Sequence, residues 1–151
     1  MTEDIYGTID LPDRIDITDP GYDNDVWCRI NNFPISAGTY ECYTLTASNE
    51  ETGRWGKRIA RIGIRKDKAD KYQLEGYIGV DAGLAGFFVD KPNYTDEEWH
   101  EFVYRTGDAW LIDNGFYSQS GYGDGTYNVY AGYKNNEVVE VYIEFIRSKT
   151  K

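Results

Sequence analysis

The stretch Tyr127–Ile146, YNVYAGYKNNEVVEVYIEFI, decides the fold class. In its second half Val139, Val141, Ile143 and Phe145 alternate with Glu140, Tyr142 and Glu144, the two-residue period of a strand with one buried face. Its first half, Tyr127 to Tyr133, is again strand-like. Between the halves, Lys134 to Glu137 carries Asn135-Asn136, a pair able to take the positive φ values that a tight hairpin turn requires. The chain therefore closes on an antiparallel hairpin.

Working outward, Ser120–Tyr127 (SGYGDGTY) leads into that hairpin with glycines at alternate positions. It is not a phosphate cradle. The G-x-x-x-x-G-K pattern is missing, no Lys or Arg lies within it, and a strand follows where a helix N-terminus would hold the anion. It reads as a fold-defining entry to the hairpin, with Asp124 placed to cap neighbouring amides, to accept bonds from a partner or to ligate a cation.

Further upstream the strand signal recurs. Gly38–Ala47 (GTYECYTLTA) puts Tyr40, Cys42 and Thr44 on one face and Tyr43 and Leu45 on the other. In Lys57–Lys66, Ala60, Ile62 and Ile64 oppose Arg61 and Arg65, a strand with a basic outer face. Ile15 and Ile17 alternate with Arg14, Asp16 and Thr18 until Asp19-Pro20-Gly21 stops the strand. Ser48–Gly53 reads as a turn, and Ala109–Ile112 and Phe116–Gln119 as further strands. Tyr77–Phe88 reads as a pair of short β segments in which Gly79, Gly83 and Gly86 mark bends, bulges or close backbone approach.

One helix is expected near 95–107. Thr95 and Glu98 match a capping box, Asp96 and Glu97 suit the helix dipole, and Trp99, Phe102 and Val103 take the spacing of a buried stripe. Seven to nine strands against one helix give a mainly β chain, an antiparallel sandwich or open barrel with one covering helix, with α+β as the alternative. A chain of 151 residues without a linker or repeat fits one domain. Its 14 Tyr, 6 Phe and 4 Trp imply an aromatic core.

The formal charge of −10 opposes nucleic-acid binding, which draws its affinity from Lys and Arg on phosphates, and disfavours an anionic membrane surface. The charge is uneven: residues 1–55 carry 11 acids and 3 bases, whereas 56–75 carry 3 and 7. An acidic surface of this kind suits a basic protein partner or a cation. The start MTEDIYG has neither a basic n-region nor an apolar h-region, and no apolar run approaches a membrane span, so the expectation is a cytoplasmic protein. Cys28 and Cys42 are expected reduced and mostly buried. The edge of the final hairpin is available for pairing with another copy, which leaves a homodimer open.

Three sets of landmarks carry a resemblance: Asp19-Pro20-x-Tyr22 followed by Trp27-Cys28, then Gly79-Val80-Asp81-Ala82-Gly83, then Ser120-Gly121-Tyr122-Gly123-Asp124-Gly125-x-Tyr127. Together they resemble an uncharacterised bacterial domain family of unknown function. The resemblance implies a bacterial β-rich fold and transfers no catalytic residue.

The same landmarks supply the ligand-binding candidates Asp19, Tyr22, Asp81, Tyr122, Asp124 and Tyr127. Nucleophilic catalysis or a zinc site would have to use the single histidine, His100, and two cysteines without a close C-x-x-C pair, and neither set is complete. No cofactor is expected. Three functions remain in view. The first is a non-catalytic binding or interaction protein, in its sharpest form an immunity-type protein that neutralises a basic toxin. The second is a small-ligand or carbohydrate-acting enzyme that uses loop carboxylates such as Asp81 and Asp124. The third is a calcium-stabilised β module with Asp23, Asp25 and Asp124 as ligands, although EF-hand spacing is missing.

Overall fold

The structure is a computed structural model and describes residues 1–23, 26–103 and 105–147, the side chain of Val103 excepted. Its strands are β1 (Thr2–Leu11), β2 (Arg14–Thr18), β3 (Ile30–Pro34), β4 (Gly38–Ala47), β5 (Arg58–Arg65) and β6 (Lys71–Val80). They continue with β7 (Leu84–Phe88), β8 (Ala109–Ile112), β9 (Gly115–Gln119), β10 (Gly125–Lys134) and β11 (Glu137–Glu144). Two antiparallel sheets result, a larger one in the order β1-β4-β5-β11-β10-β6 and a smaller one in the order β3-β2-β7-β9-β8. The fold is mainly β, with the sheets packed as a sandwich; the open barrel and the α+β alternative fall away.

The final hairpin forms as its sequence requires, with Asn135 and Asn136 at φ 51° and 66°. Its position corrects one expectation. β11 pairs with β5 and β10 with β6, so both hairpin strands lie inside the larger sheet and offer no free edge. The edges of that sheet are β1 and β6.

The core lies between the sheets. Tyr40 and Cys42 of β4, Ile62 and Ile64 of β5, Val129 and Ala131 of β10, and Val141 and Ile143 of β11 face Ile15, Ile17, Ala85, Phe87 and Phe116 of the smaller sheet. Each such Ile or Phe contributes roughly 1.5–3 kcal/mol by leaving water. On the other side of the smaller sheet, Leu84, Phe88 and Tyr117 are covered by Phe102, with Tyr94, Trp99 and Trp110 around them. The Phe102 and Tyr117 rings stack at 4.3 Å.

Phe102 and Trp99 belong to α2 (Asp96–Val103), which follows α1, a single turn at Asn49–Thr52. The capping box of α2 is formed: Glu98 N–H donates to Thr95 Oγ1 at 3.2 Å, and Thr95 N–H donates to Glu98 Oε1 at 3.0 Å. The helix stops short of the expected end near Gly107, since Arg105 is already outside it. α1 replaces the turn expected at Ser48–Gly53, because Glu51 accepts the N–H of Ser48 at 3.1 Å and starts a helical turn. The strand count also exceeds expectation, through β1 from Thr2 and the first half of β6. No helix among the described residues is long and apolar enough to cross a membrane.

Candidate functional site

The candidate site is built from connections at one end of the sandwich: the β2–β3 segment, the β6–β7 turn and the β9–β10 loop. The three glycines of the YIGVDAGLAGFF run act here as expected. Gly83 sits at φ 69° in the β6–β7 turn. A Cβ on Gly86 would lie 2.2 Å from the Phe116 carbonyl oxygen, so there the backbones approach more closely than a side chain permits, whereas one on Gly79 would press on the Cys28 side chain, 3.0 Å from its Sγ.

Asp19 is fully buried and ties two of these connections together. Its Oδ1 accepts the N–H of Gly21 at 2.8 Å, while its Oδ2 accepts the N–H groups of Asp81 and Ala82, both at 2.8 Å. The Asp19 carbonyl takes the Tyr22 N–H at 3.0 Å, which closes the Asp-Pro-Gly-Tyr turn. Burial pushes the Asp19 carboxyl above the ordinary range, and the three amide bonds pull it back only in part.

Around Asp19 lies a cavity of about 340 Å³, lined by Gly21, Tyr22, Asp81, Ala82 and Trp99 as well. Trp99 packs on the backbone of Gly21, where a Cβ would be 2.9 Å from the indole. Burial, followed by the Cys28 thiol, Asp19 and Asp81, pushes the Tyr22 hydroxyl well above the usual tyrosine range. Asp81 is exposed at the mouth.

The β9–β10 loop adjoins this cavity without lining it. Ser120 N–H donates to the Gly83 carbonyl at 3.0 Å, and Asp124 Oδ1 lies 3.9 Å from the Cβ position of Gly83. Asp19 and Asp81 thus share the cavity, and Asp124 lies outside it beside Gly83. Inside the loop, the Ser120 Oγ donates to the Gly123 carbonyl at 2.8 Å, and Tyr127 Oη donates to the same carbonyl at 2.6 Å. Tyr127 is therefore part of the loop's frame. Tyr122 is 42% exposed and packs against Trp55 with ring centroids 5.0 Å apart.

Several participants escaped the sequence reading. Arg29, buried, donates to the carbonyls of Tyr22 and Asp23 at 3.3 Å and pairs with Asp16 at 3.2 Å, strapping the acidic loop from below. Lys91, also buried, donates to the Pro92 carbonyl at 2.8 Å and sits 4.6 Å from the Tyr94 ring centroid. Burial and the nearby Arg29 lower its pKa, against Asp23, Asp19 and Asp16. Nothing in a local sequence window places Arg29 or Lys91 beneath these carboxylates. Trp99 was legible as a buried helix residue, but its seat on Gly21 is a tertiary fact.

A second polar assembly occupies the outer face of the larger sheet, beside a concavity of about 570 Å³. The buried Glu140 carboxylate accepts hydrogen bonds from the hydroxyls of Tyr43 and Tyr72, the latter at 2.6 Å. Arg65 stacks on Tyr43 at 4.3 Å and pairs with Glu3 and Glu41 at 2.7 and 2.8 Å. Arg61 stacks on Tyr142 at 3.8 Å. Glu140, Arg65, Glu3 and Glu41 are partnered within the sheet, which makes the assembly a brace across β1, β4, β5, β11 and β6.

Among the described residues, no three His, Cys, Asp or Glu side chains are grouped to hold a metal ion. Asp23 is exposed, and Asp25 lies outside the described residues. Both cysteines are free; Cys42 is fully buried and Cys28 half-buried. His100 is exposed on α2. Compared with protein-family models, curated proteins and solved structures, the chain matches none of them.

Proposed function

We propose that this protein is a non-catalytic binding protein, that its recognition surface is the loop end of the sandwich, and that its partner is a basic protein. The observation that carries this reading is the clamped set of connections that leaves Asp81 exposed on the β6–β7 turn and Asp124 and Tyr122 exposed on the β9–β10 loop, with Trp27 82% exposed on the connection that Cys28 fastens to Gly79. Aromatic side chains dominate the energetics of protein interfaces, and acidic groups around them steer a basic partner and set its register. Loops already fixed by Asp19, Arg29 and Ser120 lose little further freedom on binding. A net charge of −10 favours the same class of partner. An immunity-type role, with a basic toxin as the partner, is the most specific form of this reading.

The carbohydrate-acting alternative needs two working carboxyl groups across a cleft. Both oxygens of Asp19 are engaged by backbone amides, which leaves Asp81 as the cavity's one available carboxylate among the described residues. That count favours binding over hydrolysis. Affinity capture at low ionic strength, where exposed acids act over the longest range, is the test. A basic protein retained at low salt and released at high salt is expected, and retention of no protein would count against the proposal.

A further inference from the structure

The first half of β6, Lys71–Leu74, is exposed at every residue, with Tyr72 52% and Leu74 54% exposed. β6 is an edge strand whose ladder partner is β10; Lys71–Leu74 pair regularly with it, and Glu75 sits at the register shift between Leu74 and Gly76. Beyond Gly76 its outer edge is covered, since Gly79 N–H donates to the Cys28 carbonyl at 2.9 Å and Ile30 Cδ1 lies 3.6 Å from the Cβ position of Gly76. No such cover reaches Lys71–Glu75 among the described residues. A bare edge rich in aromatic and aliphatic side chains is a template for a further strand.

The segment Lys71-Tyr72-Gln73-Leu74-Glu75 is complementary to itself. Antiparallel to a copy, with the two-fold axis at Gln73, Lys71 stands opposite Glu75 of the second copy and Tyr72 opposite its Leu74. Lys71 and Glu75 lie on one face, because the Tyr133 ring is 5.8 Å from Lys71 Nζ and its hydroxyl donates to Glu75. Tyr72 lies on the other face, with Glu140. Every cross-strand pair is then either oppositely charged or apolar, apart from Gln73 on the axis. The opposite edge, β1, cannot do the same: its charged residues are Glu3, Asp4 and Asp10, and it contains no Lys or Arg.

We propose that a second copy of this chain pairs along Lys71–Glu75, joining two larger sheets into one continuous sheet through a closed two-fold contact. The pairing uses a strand edge away from Asp81 and Asp124, so it stands or falls independently of the loop-end reading. Sedimentation equilibrium on the full chain tests it. The wild type is expected to dimerise at concentrations on the order of 10–100 μM. Lys71→Glu and Glu75→Lys each turn both symmetry-related pairs into like-charge pairs and are expected to weaken the dimer about tenfold, whereas the double exchange restores it to within about threefold. Circular dichroism confirms that each variant folds. Hydrogen exchange on the wild type gives a second readout, with amides of 71–75 slowing as concentration rises. A wild type monomeric at about 100 μM, single variants that dimerise unchanged, a double variant that fails to recover, or amides of 71–75 indifferent to concentration would each overturn the proposal.

Discussion

The Asp19 carboxylate accepts the backbone N–H of Asp81 at 2.8 Å, joining residues 62 positions apart in the chain. With the bonds from Gly21 and Ala82, this contact fixes how the end of β2 sits against the β6–β7 turn, and so how Asp81 is presented. Asp19→Ala leaves three amide donors short of a partner and is expected to cost roughly 3–5 kcal/mol of stability. Asp19→Asn keeps one acceptor oxygen, sets an amide N–H₂ against a backbone donor, and is expected to cost roughly 1–3 kcal/mol. Denaturant titration of the two variants checks the order and the size of these losses.

The outer-face brace makes a sharper expectation about packing. A Cβ on Gly63 would lie 2.3 Å from Tyr43 Cζ, and Tyr43 cannot yield without giving up Glu140 and the stacked Arg65. Gly63→Ala is therefore expected to destabilise by roughly 2–3 kcal/mol. In a Tyr43→Ala background the obstacle is gone, and the same substitution is expected to cost under about 1 kcal/mol. A double-mutant cycle in denaturant measures the coupling; additive losses would show that the ring is not what excludes a side chain at 63.

High pH should unfold the protein through its buried phenols and its buried thiol. Burial pushes Cys42 and Tyr117 up to about 12, and pushes Tyr40 and Tyr43 well above the ordinary tyrosine range. Because the folded state holds these protons more tightly than the unfolded chain, the stability they supply is complete below the unfolded values of 9.0 for Cys and 10.0 for Tyr. It is lost as pH rises from there through the folded values. The tyrosinate absorbance contributed by the buried tyrosines and the loss of the β signal in circular dichroism are expected to rise together in one transition above the ordinary tyrosine range. Free titration of the buried tyrosines before unfolding would contradict this.

Much of the fold was legible because one face of these strands is apolar in sequence. In β5, Ala60, Ile62 and Ile64 are all fully buried while Arg61 and Arg65 are only partly so; β11 shows the limit, since Glu140 and Tyr142 on its other face are buried as well. The capping box placed α2, and Asn135-Asn136 placed the hairpin turn. The first half of β6 was not legible, because Lys71–Leu74 is exposed throughout and carries no two-residue burial period. Of the site, the glycine and aspartate loops could be named in advance, since turn chemistry is local. That Asp19 would be consumed by the amides of Asp81 and Ala82, or that Arg29 and Lys91 would lie beneath the loop, depends on pairing between distant segments. Tyr43, in the same way, reads as an outward strand residue, yet Gly63 and Arg65 bury it.

The loop-end account is tested most directly by affinity capture at low salt with the wild type, Asp81→Lys/Asp124→Lys and Lys71→Glu side by side. Asp81 and Asp124 are exposed, so the charge reversal leaves the amide clamp on Asp19 in place. A basic protein is expected to be retained by the wild type and by Lys71→Glu, and its retention to fall at least about tenfold on the Asp81/Asp124 reversal, given two like-charge contacts in place of two attractive ones. Retention by the reversed variant at the wild-type level would contradict it.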